Sequence, residues 1–266
     1  MNSIHATAVI DKTAQLGDNV TVGPYVVIEA DVAIGNDCWL GAHCVIKRYT
    51  HLGQRNRIAE HAVIGGEPQD VSFRACESQV WMGDDNWARE GVTIHRATKA
   101  GGVTRIGNGN YLMAYAHIAH DCTLGDHVTF ANGATLGGHV HVGDRAFLSG
   151  YVVVHQFCRI GKYAMVSGLS GVNQDCLPFV ISAGIPARAC GLNIVGLRRG
   201  GFDSDQIRAL KHAYSVLLCS GDPLQEALRR LQDSGSCLVQ ELLAFVQSSH
   251  RGFAHHRKMP DRTEVE

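Results

Sequence analysis

The chain has 266 residues, 45% hydrophobic and 18% charged, with a formal net charge of −1. That length can bury a core for one large domain or two, the near-zero charge argues against nucleic acid as the principal partner, and no stretch approaches the ~18 apolar residues of a membrane span. Met1-Asn2-Ser3-Ile4-His5-Ala6 lacks the charged segment and apolar run of a secretory signal, so a cytoplasmic location is expected.

From the amino terminus an apolar residue returns every sixth position: Ile4, Ile10, Leu16, Val22 and onward to Ile58 and Ile64, then Ile106, Leu112, Ile118, Leu124, Phe130, Leu136 and onward to Val166. Four residues after each comes a compact side chain, such as Val20, Cys38, Cys44, Ala62, Ala116, Cys122, Ala134 or Cys158. A period of six is neither the 3.6 of a helix nor the alternation of a strand. It is the period of a parallel β-helix, in which each hexad supplies one flat face and one corner, and three hexads close a coil of about 18 residues. Coils then stack about 4.8 Å apart, so residues 18 apart lie over one another. Glycine, 30 of 266 residues, exceeds the average of about 7%, as many tight corners require.

The pattern breaks at residues 65–79, which begin Gly65-Gly66-Glu67-Pro68-Gln69-Asp70, and again at 97–105. Both are expected to leave the prism as loops, and excursions from a regular solenoid are where function concentrates. After residue 171 the hexads fade and helical periodicity takes over. Asp203 and Gln206 form a capping box ahead of the stripe Ile207, Leu210, Tyr214 and Leu217; Asp222-Pro223 opens a second helix; Val239, Leu242, Leu243 and Val246 mark a third. The expected architecture is therefore an all-β solenoid over residues 1–190, a small helical domain over 191–250, and a polar, disordered tail over 251–266. Of the nine Cys, Cys38, Cys44, Cys122 and Cys158 fall on the compact inward position and read as reduced core thiols.

Fifteen His is a high count, and the 18-residue rule sorts them. Ile118, Leu136 and Val154 head the same face on successive coils. His120, His139 and His155 belong to those units and His117 leads into the first, which gathers four His on one outer face over roughly 10 Å of axis. A zinc site is one reading of such a cluster, though no metal is expected here. Asp121 follows His120, and Gly138 stacks one coil above it. A His base, a carboxylate to orient it and a Gly N–H nearby are the components of acyl transfer: a hydroxyl is deprotonated and attacks a thioester while the oxyanion is stabilised. Imidazole suits the task because its pKa lies near the operating pH, and no Ser or Cys nucleophile is required when the acceptor attacks directly.

Ile64-Gly-Gly-Glu-Pro-Gln-Asp70, Val92-Thr-Ile-His-Arg96, Ala116-His-Ile-Ala-His-Asp-Cys122, Val154-His-Gln-Phe-Cys158 and Gly191-Leu-Asn-Ile-Val-Gly-Leu197 occur in an order, over about residues 1–250, that resembles the UDP-N-acetylglucosamine acyltransferases that open lipid A synthesis. The resemblance implies a homotrimer of left-handed parallel β-helices with active sites between subunits. It implies transfer of a 3-hydroxyacyl chain from acyl carrier protein to the sugar 3-hydroxyl, with no cofactor beyond the carrier's acyl-phosphopantetheine. Carried over by motif, His120 is the general base, Asp121 its orienting partner and Gly138 N–H the oxyanion donor. Gln69, Asp70, His95, His117, His139, His155 and Gln156 line the sugar and acyl sites, and Asn193 and Arg199 face the nucleotide. Gly168 falls at the acyl-length ruler, where Gly suggests an open groove and a long chain. Three positions depart from the family: Ser72 replaces a Lys, Val195 a Glu, and Gly200 the third basic residue after Arg198-Arg199. These thin the polar contacts to the sugar nucleotide, so a paralogue with another sugar-nucleotide acceptor and a catalytically weak trimeric scaffold stay open as alternatives.

Overall fold

The computed structural model of the chain describes residues 1–255. Up to Val172, strands that end on an inward apolar residue alternate with short corners, as in His117–Ile118, Thr123–Leu124 and Thr129–Phe130. Each strand pairs in parallel with the one a coil later, so His117 lies opposite Thr135 and Thr135 opposite Val153. The result is three sheets of 11, 9 and 8 strands, the faces of a left-handed parallel β-helix. We call them faces A, B and C, beginning at Ser3–Ile4, Val9–Ile10 and Gln15–Leu16. The edges between them are A–B, B–C and C–A.

The corners explain how so many non-glycine residues sit at positive φ. On most coils the third residue after the inward one takes the left-handed region, as at Asp121 (59°), His139 (59°) and Tyr151 (56°), at a steric cost to L-residues. Each is offset by a bond to the coil below: His139 N–H donates to His120 O at 3.0 Å and Tyr151 N–H to Asn132 O at 2.9 Å. Inside, Ile118, Phe130, Leu136 and Leu148 are fully buried among Ala116, Cys122, Ala134 and Cys158. Each large side chain contributes about 1.5–3 kcal/mol. The same burial pushes the Cys44 and Cys122 thiols up to about 12.

The first excursion is shorter than the hexad break suggested, because Gly65 and Gly66 stay in the strand Val63–Gly66, with Gly66 opposite His95. It spans residues 67–78. The second spans 96–102, since Val103–Ile106 pairs along its whole length with Gln79–Met82. The four-residue strands at the bases of the excursions thus satisfy one another's backbone groups.

The solenoid closes with Val180–Ala183, parallel to Met165–Val166 and antiparallel to Arg188–Leu192. Four helices follow: α1 (Ile194–Arg199), α2 (Ser204–Leu218), α3 (Leu224–Leu231) and α4 (Cys237–Gln247). The Asp203–Gln206 capping box of α2 is present. Asp222 does not cap α3; Pro223 takes that position and the Asp222 carboxylate pairs with Arg230 instead. Buried Asp175 accepts from Arg159 Nε at 2.9 Å and from the Ser249 hydroxyl at 2.8 Å, while the Arg159 guanidinium lies 4.1 Å above the Phe245 ring, which docks α4 onto the prism. The expected disordered tail is corrected at its start. Phe253 and Ala254 are buried, Phe253 forms an isolated β-bridge with Asp175 and Ala254 N–H donates to Asp175 O; residues 256–266 lie outside the described residues.

Candidate active site

The B–C edge carries His120 and Asp121 on one coil, His139 on the next, and exposed His155 and Gln156 above them. The His120 ring lies directly on the Gly138 backbone: a Cβ at Gly138 would stand 2.3 Å from His120 Cε1, so only glycine fits. His120 Nδ1 lies 2.8 Å from Asp121 Oδ2. An ionised carboxylate can only accept, which puts the proton on Nδ1 and leaves the Nε2 lone pair free. His139 meets His120 edge-on at 5.3 Å and stacks on Phe157 at 4.7 Å. Among the described residues Gly138 N–H has no acceptor.

A second His pair adjoins this corner on face B. His95 and His117 contact edge-on at 4.8 Å, and His117 Nδ1 is 2.7 Å from Thr93 Oγ1. Burial drives the His95 pKa down to about 4, with His117 and His120 adding to the effect, and lowers His117 as well. His95 Nδ1 is buried without a partner. Both rings are therefore neutral at pH 7 and can accept or donate hydrogen bonds without carrying charge.

The first excursion brings Asp70 to the corner. The hydroxyl and N–H of Ser72, at 2.7 and 2.8 Å, hold its carboxyl below the ordinary carboxylate range, and His120 and His139 lower it further. Ser72, one of the three departures, is thus the partner of Asp70. Gln69 beside it is exposed.

His120, Asp121 and His139 offer three ligand atoms within 4.8 Å of one another, the geometry a cation could use. Asp121 Oδ2 already accepts from His120 Nδ1, from Thr98 N–H at 3.1 Å and from the Thr98 hydroxyl at 2.8 Å. A metal on that oxygen would compete with these three donors.

The C–A edge is built differently. Where α1 meets the prism, a cavity of about 570 Å³ is lined by Arg145, Tyr163, Asn193, Val195, Arg199 and Gly200 among others. Asn193 caps α1: its Oδ1 accepts from Gly196 N–H at 3.0 Å and its Nδ2 donates to Tyr163 O at 2.9 Å. Its amide is committed to structure as much as to any ligand. A Cβ at Gly200 would stand 2.6 Å from Tyr163 Cε1, so Tyr163 occupies the space a third basic residue would need. Arg145 and Arg199 have no carboxylate partner among the described residues. Arg145 was not singled out by the sequence reading, although it stacks 18 residues from both His127 and Tyr163 at the same corner.

Gly168 lies on the third edge, A–B. A Cβ there would meet only Gly150 O at 3.4 Å and Ser149 Cβ at 3.8 Å. Large apolar side chains stand exposed nearby on face B and its margins: Tyr151, Val153, Leu169 and Ile185. The structure therefore gathers His120, Asp121, Gly138 and His139 with Asp70, His95 and His117 beside them. It places Asn193, Arg199 and Gly168 on other edges of the same prism.

Comparison with known proteins identifies the family to which this fold belongs. Residues 104–138 match the family described as bacterial transferase hexapeptide (six repeats), and residues 175–254 match UDP N-acetylglucosamine O-acyltransferase, domain 2. The acyl-[acyl-carrier-protein]–UDP-N-acetylglucosamine O-acyltransferase of Halorhodospira halophila is 48% identical over 255 residues, 95% of this chain and 99% of that protein. Its namesake in Aliarcobacter butzleri is 43% identical over 260 residues, 97% of this chain and 100% of that one. The crystal structure of UDP-N-acetylglucosamine acyltransferase from Francisella novicida superposes with a TM-score of 0.92 at 36% identity, covering 96% of this chain and 95% of that chain.

Proposed function

This chain belongs to the acyl-[acyl-carrier-protein]–UDP-N-acetylglucosamine O-acyltransferase family, and from that premise we propose that it moves a 3-hydroxyacyl chain from acyl carrier protein to the 3-hydroxyl of UDP-N-acetylglucosamine, the first step of lipid A synthesis, by general-base catalysis at His120. The observation that carries the reading is the His120 ring, held by Asp121 and lying on Gly138. His120 Nε2 takes the acceptor proton as the sugar oxygen bonds to the thioester carbon, and Gly138 N–H donates to the developing oxyanion. Collapse breaks the C–S bond, and the protonated His120 returns its proton to the phosphopantetheine thiolate. A positioned base of this kind contributes about 10²–10⁴-fold. No further cofactor is required by these steps.

The division of the site among edges supports a homotrimer. His120 and Arg199 occupy different edges of one prism, so a complete site calls for the B–C edge of one subunit beside the C–A edge of another. In that arrangement Arg199 and Arg145 meet the nucleotide diphosphate, each through charge-assisted bonds of about 1.5–3 kcal/mol. The exposed apolar band near Gly168 takes a long acyl chain. No helix among the described residues is long and apolar enough to cross a membrane, and a donor carried by acyl carrier protein fits a cytoplasmic enzyme. One observation favours a second reading: Val195, 60% exposed at the nucleotide cavity, offers no polar contact, as it would for a different sugar-nucleotide acceptor.

The test is an assay of the purified protein with acyl carrier proteins of graded chain length and UDP-N-acetylglucosamine, the acyl-sugar read by mass. His120→Ala is expected to lower turnover by about 10²-fold or more with the melting temperature and trimer mass unchanged. More than half the wild-type rate in that variant would remove His120 from the mechanism.

A further inference from the structure

The second excursion, residues 96–102, contributes no group to the steps above, yet its Thr98 spends both of its donors on one carboxylate. The hydroxyl donates at 2.8 Å to Asp121 Oδ2, the same oxygen that receives His120 Nδ1, and the N–H is shared between Oδ2 at 3.1 Å and Oδ1 at 3.3 Å. Thr98 is itself braced from below. Arg96, buried to 3% exposure, donates to Glu67 Oε1 at 2.8 Å and to Cys76 O at 3.2 Å. The Ser78 hydroxyl donates to Ala97 O, and Cys76 Sγ lies 3.6 Å from Thr98 O. The bases of the two excursions therefore form one unit with Thr98 at its tip.

Resting on the reading of His120 as the base, we propose that Thr98 is a positioning residue of the acyl transfer: it fixes the rotation of the Asp121 carboxylate, which in turn aims His120 Nε2 at the acceptor hydroxyl. A carboxylate held only by its neighbouring imidazole could turn about its Cβ–Cγ bond and take the imidazole with it. Two donors from a separate, anchored segment remove that freedom, and orientation of a general base bears on the transition state more than on substrate binding.

Thr98→Val keeps the shape and the backbone N–H and deletes the hydroxyl. The expected result is a kcat about tenfold lower with KM for both substrates within about twofold of wild type, while Thr98→Ser recovers most of the rate. In an Asp121→Asn background, Thr98→Val should change kcat by less than about twofold, because the carboxylate it positions is gone. A Thr98→Val kcat within about twofold of wild type, or an undiminished tenfold loss in the Asp121→Asn background, would overturn the proposal. Thr98→Ala carried through the same cycle gives the same readings should the Val variant not fold. His120→Ala, assayed alongside, tells the two failures apart. If it retains the wild-type rate, the base itself is wrong; if it is inactive while Thr98→Val is normal, only the positioning role falls.

Discussion

Two edges of the prism use the same position of the hexad in opposite ways. On the C–A edge the second residue after the inward one is Asp or Asn on most coils, Gln54 and Lys162 being exceptions, and at several of them its side chain accepts the N–H of the residue one coil earlier. Asn36 accepts from Asp18 at 2.8 Å, Asn108 from Asp84 at 2.8 Å and Asp144 from Asp126 at 2.9 Å. On the B–C edge the corresponding residues are Arg96, His120, Gly138 and Gln156, and the Gly138 N–H is left open. The acceptor ladder and the histidine corner proposed as the reactive one are alternative uses of one lattice point. Where the acceptor side chain is dropped, a backbone donor faces outward and an imidazole can lie against it.

The largest test of that contrast is Gly138→Ala. The new Cβ would stand 2.3 Å from His120 Cε1 and 2.7 Å from Nε2, so the ring must leave its place. We expect kcat to fall by about 10²-fold or more with little change in melting temperature, since His120 points away from the core. An Ala variant within tenfold of wild type would mean that the close packing of ring on glycine is incidental to the chemistry.

Acid sensitivity should also separate the edges, because the neutral His pair belongs to the reactive side. The folded chain resists protonating His95 until about pH 4, whereas the unfolded chain takes that proton near 6.5. The unfolded state therefore binds more protons across this interval, and stability is lost as pH falls from 6.5 towards 4. His117 is shifted the same way and adds to the slope. His95→Gln should flatten the dependence of urea midpoint on pH in that window; equal slopes in the two proteins would show that His95 is solvated in solution.

At the other end of the C–A edge the ladder gives way to the cavity beside α1, the proposed nucleotide site, and Arg145→Ala probes what it does there. KM for the sugar nucleotide should rise about tenfold with kcat within about twofold, the pattern of lost ground-state binding. An unchanged KM would assign the phosphates to Arg199 alone.

How much of this could be read in the sequence follows from the lattice. The period of six located the core residues and both excursions, and the 18-residue rule brought His120, His139 and Gly138 together. The same rule missed His95, because the excursions lengthen the local repeat: Thr93 pairs with His117, 24 residues on, and with Val63, 30 residues back. Thr98 carries no periodic signal at all, since it arrives from a segment outside the lattice. Ser72 read as a missing cation, and only the fold shows it bonded to Asp70. Asn193 read as a nucleotide contact, while its capping bonds depend on a short helix that no repeat announces. Arg145 is the instructive opposite, legible from its 18-residue spacing to Tyr163 and overlooked because the His residues drew attention to the other edge.

The smallest expected effect is also the one that closes the comparison. Asp126 Oδ1 accepts from Asn108 N–H at 2.6 Å and from Asn108 Nδ2 at 3.0 Å, one rung of the C–A ladder. Asp126→Ala removes the acceptor at a half-exposed position, where water can take over part of the bonding, so the loss should be about 0.5–1.5 kcal/mol of stability. Asp126→Asn should recover nearly all of it, because Asn36 and Asn108 serve other rungs as amides and the ladder asks for an oxygen more than for a charge. Neither variant should move kcat, since the rung lies on a different edge from His120. A fall in kcat that matched the fall in melting temperature would mean the two edges are mechanically coupled through the coil, and the reactive corner could no longer be treated as a local exception to the ladder.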